Sequence, residues 1–223
     1  MRKLFPCILS LGLLSCTQIF SGKGGNIESL DGSGGSNSQV NNEKLPPAQY
    51  VKWVEDEQNG LKKSKTIDDI IYTAQYKPCQ YVVCEEEKKM AIADSTIKQE
   101  VSELGGMQYM NLKIELKNGS GEFLRYGIST REEYNERVNY FSFGMQKDVQ
   151  LVDAGDTLPC LLFHYERLYS IAPYGTFLLA FPKGKNIDGD KTLIIFDHVF
   201  NTGIVKLFFK GSDLKNTPQL EAI

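Results

Sequence analysis

From residue 110 to residue 116 the chain alternates without a break. Met110, Leu112, Ile114 and Leu116 are apolar, and Asn111, Lys113 and Glu115 are polar. Successive side chains on a strand point to opposite faces, so this stretch reads as a strand with one face in a core and one in water. Half-buried strands of this kind belong to antiparallel sheets. The pattern returns near the C-terminus, where Val205, Leu207 and Phe209 alternate with Lys206 and Phe208. Residues 176–181 and 192–196 are nearly continuous apolar runs, separated by a polar loop at 183–191 that holds Gly184 and Gly189. Runs at 161–169 and 70–76 complete the set, and Asn118-Gly119-Ser120-Gly121 predicts a turn leading into a hairpin strand at 122–128. Several short strands with turns between them predict a mainly β fold. The arrangement expected is an antiparallel β-sandwich with one or two helices packed at an edge, with an α+β fold as the alternative.

Two helices are readable. Met90, Ala93, Ile97, Val101 and Leu104 recur at spacings of 3, 4, 4 and 3 and make one apolar stripe. Glu85, Glu86 and Glu87 stand at its start, where the helix dipole favours negative charge, and Gly105-Gly106 supplies the stop. A shorter helix follows Thr130. Thr130 and Glu133 form a capping box, and Tyr134, Val138 and Phe141 are expected to face inward.

The first residues carry a different signal. Met1-Arg2-Lys3 is basic, and residues 4–14 are apolar apart from Pro6, Ser10 and Gly12. That stretch is about half the length a helix needs to span a bilayer, so it reads as the core of a signal peptide. It ends in Leu13-Leu14-Ser15-Cys16, which resembles the bacterial lipobox, although Leu14 is a less usual residue at its place. The resemblance implies that residues 1–15 are removed as a lipoprotein signal peptide, Cys7 with them, and that the Cys16 thiol carries lipid. Residues 16–48 then form the lipidated N-terminus and a tether. Residues 17–48 hold six glycines among scattered Ser and Asn and close on Pro46-Pro47, a composition that builds no core. One globular domain at 49–223, beginning near Tyr50, is the simplest reading of the rest.

Composition narrows the function classes. Removing residues 1–15 takes Arg2 and Lys3 from a net charge of −3, leaving −5 (−3 − 2). An acidic chain without a basic run argues against nucleic acid as a partner. Besides the anchor, the mature chain keeps Cys79, Cys84 and Cys160. Cys79 and Cys84, five residues apart in an expected strand, face opposite ways and do not bridge each other. Either of them pairing with Cys160, or three small buried thiols, both remain open.

Nothing in the spacing marks a catalytic, cofactor or metal site. His164 lies two residues before Glu166, and His198 follows Asp197, but the pattern is no zinc signature. Asn186-Ile187-Asp188-Gly189-Asp190 looks slightly like a calcium loop and lacks its terminal acid. Cys160 and His164 would share a face of one strand at roughly 13 Å, too far for direct proton transfer. Tyrosines are plentiful, and residues 167–174 are the first place to look for a contact patch.

Lys52-Trp53-Val54-Glu55, Asn59-Gly60-Leu61, Lys65-Thr66-Ile67 and Gln75-Tyr76-Lys77-Pro78 resemble the opening of uncharacterised lipoproteins from the Bacteroidota. That resemblance implies no particular activity. Surface-displayed lipoproteins of that group place acids soon after the cysteine, whereas the first acid here is Glu28. The expected address is therefore the periplasmic face of the outer membrane. The leading expectation is a non-enzymatic envelope lipoprotein that binds the membrane through its lipid and docks a protein partner. The rival is a glycan-binding protein or hydrolase whose site is assembled from residues far apart in sequence.

Overall fold

The chain enters the domain through a short parallel pairing of its two ends. In the computed structural model, which describes residues 43–87, 92–167, 172–186 and 189–222 (86 and 87 by backbone only), strand β1 (Lys44–Leu45) lies beside Gln219–Leu220. The backbone N–H of Gln219 donates to the Glu43 carbonyl, and that of Glu221 to Leu45. Pro47 then opens helix α1 (Pro47–Glu55), where its missing N–H costs nothing. Residues 43–48 are thus part of the folded body. The boundary expected at residue 48 moves toward the N-terminus, because Pro46-Pro47 starts a helix instead of closing a linker.

Strands β2 (Lys62–Ile67) and β3 (Ile70–Lys77) form a hairpin whose turn holds Asp68 at φ 51°. Next comes helix α2 (Cys79–Glu87), and here the sequence reading is corrected: Cys79 and Cys84 sit on a helix, not on a strand. The three glutamates accordingly end α2 and do not begin the following helix. Helix α3 (Asp94–Leu104) starts its own first turn with Asp94 and buries Ile97, with Val101 and Leu104 packed against the core. Met90 lies outside the described residues.

Strand β4 (Met107–Leu116) follows, with strictly alternating burial that keeps Met110, Leu112, Ile114 and Leu116 inside. The hairpin strand expected at 122–128 is absent. Phe123–Arg125 is a single 3-10 turn, and the neighbouring side chains of Phe123 and Leu124 are both buried. A strand would have sent those two to opposite faces. Helix α4 (Arg131–Asn139) carries the complete capping box between Thr130 and Glu133. A π-helical turn at Tyr140–Gly144 continues it and delivers Phe141 to the core. The Phe141 ring lies 5.0 Å from Phe123, 5.5 Å from Phe177 and 5.9 Å from Tyr165 between centroids. Truncating such a ring to alanine typically costs about 3–5 kcal/mol.

Strands β5 (Val149–Asp153) and β6 (Asp156–Pro159) are joined by Ala154-Gly155, both at positive φ (49° and 93°), the conformation that a two-residue hairpin of right-handed twist requires. The remaining elements are β7 (Leu162–Glu166), β8 (Tyr174–Pro182), β9 (Lys191–Asp197), β10 (Gly203–Phe209), helix α5 (Gly211–Lys215) and β11 (Gln219–Leu220).

These strands form two main antiparallel sheets, ordered β2-β3-β4-β8-β7 and β10-β9-β5-β6. The fold is therefore mainly β and sandwich-like within an α+β chain, with helices more numerous than the sequence reading gave. The two apolar runs at 176–181 and 192–196 lie in different sheets, so the polar loop between them carries the chain from one layer to the other. Tyr72, Leu112 and Phe177 of the first sheet and Leu151, Leu193, Ile195 and Leu207 of the second belong to one core. Among the described residues no helix is long and apolar enough to cross a membrane.

Candidate functional site

The sheets meet at a crossover where β6 ends and β7 begins. Pro159, Cys160 and Leu161 make this step between layers, and both strands are sheet edges. Gln146 holds the step in place, its Nε2 donating to the carbonyls of Cys160 (3.0 Å) and Leu161 (3.3 Å). The Leu161 N–H in turn donates to Ala180 at 2.9 Å. The π-helical turn that buries Phe141 points Phe143 the opposite way, leaving it 78% exposed. Leu161 and Leu162 are also exposed. Phe143 borders an open groove of about 510 Å³, lined also by Lys147, Val149, Gln150, Pro159 and Cys160 among others.

The groove's chemistry is apolar contact with amide and ammonium hydrogen bonding. Neither a carboxylate nor an imidazole lines it. Its one nucleophilic atom, the Cys160 thiol, is held in the protonated form because burial pushes its pKa up to about 11. The thiol donates to the Leu162 carbonyl at 3.0 Å. Cys160 precedes β7 and turns inward, whereas His164 sits on β7 and faces solvent, so the expected shared face does not form.

Burial likewise pushes Cys84 to about 11 and raises Cys79. All three thiols are free, and none is bridged to another. At pH 8 roughly one molecule in a thousand then carries a thiolate at Cys84 or Cys160. A thiol reagent such as Ellman's should therefore leave both essentially unreacted in the native protein at pH 8. Both should react within seconds in guanidinium; fast native reaction would contradict this burial.

The two histidines do not come together. His164 is on the first sheet, and His198 is in the β9–β10 turn with Nε2 3.6 Å from Asp148 Oδ1. Among the described residues no group of three or more metal-ligating side chains converges. Asp197 has a structural task. Its carboxylate accepts from the N–H groups of Val199, Phe200 and Thr202 and from the Thr202 hydroxyl, which shapes the turn. Of the calcium-like loop, Ile187 and Asp188 lie outside the described residues. Asp190 Oδ1 accepts the Gly211 N–H at 2.7 Å and so pins the start of α5. In the suggested contact patch, 168–171 lie outside the described residues, and Tyr174 carries Lys113 Nζ 4.5 Å from its ring centre.

A second apolar surface adjoins the groove. Strand registers place Ile204, Lys206 and Phe208 of β10 beside Phe196, Ile194 and Thr192 of β9 on the outward face of the four-stranded sheet. Gln150 and Val152 of β5 and Pro159 and Thr157 of β6 continue that face toward the groove. Ile204 is 54% and Phe208 49% exposed. The sequence held a sign of this surface, since Phe208 stands where the alternation calls for a polar residue and 192–196 is apolar on both faces. Phe143 had no such sign, because only the π-helical turn sends it outward. No sequence model of a protein family matches this chain, and no curated protein or solved structure shows significant similarity to it.

Proposed function

We propose that this chain is a lipid-anchored lipoprotein of a bacterial envelope, acylated at Cys16 and most naturally placed on the periplasmic side of the outer membrane. Its sandwich docks a protein partner and does no chemistry of its own. The observation that carries the docking reading is the crossover surface: Phe143 stands exposed on the wall of a groove that offers apolar contact and amides in place of acid–base groups, and Leu161 and Leu162 stand exposed immediately after its last lining residue, Cys160. Aromatic and aliphatic side chains grouped in this way on a soluble body mark interaction sites. Lys147 lies in the groove wall, and among the described residues no carboxylate pairs with it, so a partner with an acid at the rim of an apolar contact is favoured.

The test is a photo-crosslinking amino acid placed at Phe143 or Leu161 in the full chain, expressed at native level in its own envelope. Both positions should yield the same adduct of one discrete mass, and the exposed Lys98 of α3 should yield none. Adducts that are absent, or identical from all three positions, count against docking at this surface.

A further inference from the structure

The outward face of the four-stranded sheet has a composition of its own. Ten residues point outward from its strands: Ile204, Lys206 and Phe208, then Thr192, Ile194 and Phe196, then Gln150 and Val152, then Thr157 and Pro159. Lys206 is the one charge among them, in a chain whose net charge is −3. It stands on the edge strand β10 between the two exposed large hydrophobic side chains of the face, Ile204 and Phe208. Successive outward residues on a strand are about 6.8 Å apart, so the three form a short row with a cation at its centre. Among the described residues Lys206 has no ion-pair partner, and neither has Lys210, which follows the strand and is exposed. A partner that fits this face must be apolar just beneath a layer of negative charge.

We propose that this face rests on an anionic lipid leaflet, with Ile204 and Phe208 entering the interface and Lys206 reaching lipid phosphate. A lysine can lay its methylene stem along apolar neighbours and hold its ammonium at headgroup level, and Lys206 stands on the same face of β10 between two such neighbours. A protein partner could match the apolar part, but its acid would have to fall at the centre of the contact, where isolated charges are usually depleted. In a leaflet the phosphates form a continuous plane, and no such register is needed. The inference rests on the lipid-anchored reading for its biological setting. Glu43 lies only 27 positions after Cys16 (43 − 16), so covalent geometry keeps the domain within about 100 Å of whichever leaflet holds the lipid. The groove at the β6–β7 crossover shares Gln150 and Pro159 with this face, and its other wall at Phe143 and Lys147 is left for the protein partner.

The test uses the chain from residue 16 onward with Cys16→Ser, which retains the whole compact unit at residues 38–223 and has no acyl chain. It is mixed with vesicles of phosphatidylcholine alone or with 30 mol% phosphatidylglycerol (roughly a physiological anionic load), and sedimentation is followed at low and at 0.5 M salt. Binding should be weak, confined to the anionic vesicles, and lost at high salt. Lys206→Glu should weaken it about fivefold or more, and the Ile204→Asp/Phe208→Asp pair more than about tenfold. Lys206 is exposed, so Lys206→Glu keeps the test valid if the double variant misfolds. Absence of binding to phosphatidylglycerol vesicles, or binding that neither variant changes, overturns the proposal and assigns the face to a protein. Neither outcome bears on acylation, which the intact chain tests separately.

Discussion

Replacing Lys191 with methionine should lower the unfolding free energy by about 3–5 kcal/mol, a large share of the 5–15 kcal/mol that holds a typical domain together. Lys191 opens β9 and Asp153 closes β5; the two are register partners, and both side chains are fully buried. The ammonium lies 2.9 Å from Asp153 Oδ1 and 3.3 Å from the Asn186 carbonyl. The other carboxylate oxygen accepts from Gln108 Nε2 at 2.9 Å, and Gln108 comes from β4 in the opposite sheet. Gln108 also donates to the Pro182 carbonyl at the end of β8, so the network ties both layers together at the loop that joins them. Gly184 in that loop packs so closely that an added Cβ would fall 1.8 Å from Asp153 Oδ2. Methionine has a similar volume but leaves the Asp153 carboxylate buried with Gln108 as its remaining donor. Desolvation of the uncompensated charge, and not the lost attraction, sets the size of the effect. Removing both charges together, as Lys191→Met/Asp153→Leu, should recover more than half of the loss. Chemical denaturation of the wild type, the two single variants and the double variant closes the cycle. A Lys191→Met protein within 1 kcal/mol of wild type would show that this pair is solvated.

The same network explains why part of the fold was hidden in the sequence. Residues 45 and 38 positions apart meet around one carboxylate, and no local pattern announces them. What was legible was local and periodic. The alternation in β4 and β10 and the capping box at Thr130 are each set by neighbours a few residues away, and each appears in the structure as read. Misreadings came where a short apolar run fits either period. Tyr81, Val83 and Cys84 are all buried although α2 is helical, because the helix is wedged between α1, α3 and β11 and not laid on one surface. Phe123 and Leu124 look like the start of a strand, yet packing draws both into the core through a single tight turn. Tertiary packing overrode propensity at both places. The candidate surfaces were half legible. Phe208 breaks the polar side of its strand in plain view, but Phe143, Pro159 and Cys160 come to line one groove only through the tertiary fold.

Changing Cys16 to serine should move the protein almost completely from the membrane pellet to the soluble fraction and abolish incorporation of labelled palmitate. Each buried methylene contributes about 0.8 kcal/mol, so a single acyl chain binds reversibly, whereas two or three hold for the life of the protein. Nothing among the described residues offers a substitute of that strength. Among the described residues no helix can span a bilayer, and the Ile204–Lys206–Phe208 row supplies only two apolar side chains and one cation. Such a row holds a free domain only weakly. Held near the leaflet by an anchor, however, it would work at an effective concentration in the millimolar range, where weak contacts are occupied. The anchor would then decide residence, and the sheet face would decide orientation. The two contributions separate experimentally. A high-salt wash should strip nothing from the acylated parent, and Lys206→Glu in the acylated chain should leave the pellet fraction unchanged while altering crosslinks from Phe143. Should the Cys16→Ser chain stay in the pellet after that wash, with no palmitate found in the parent, the lipoprotein reading fails and the sheet face cannot rescue it.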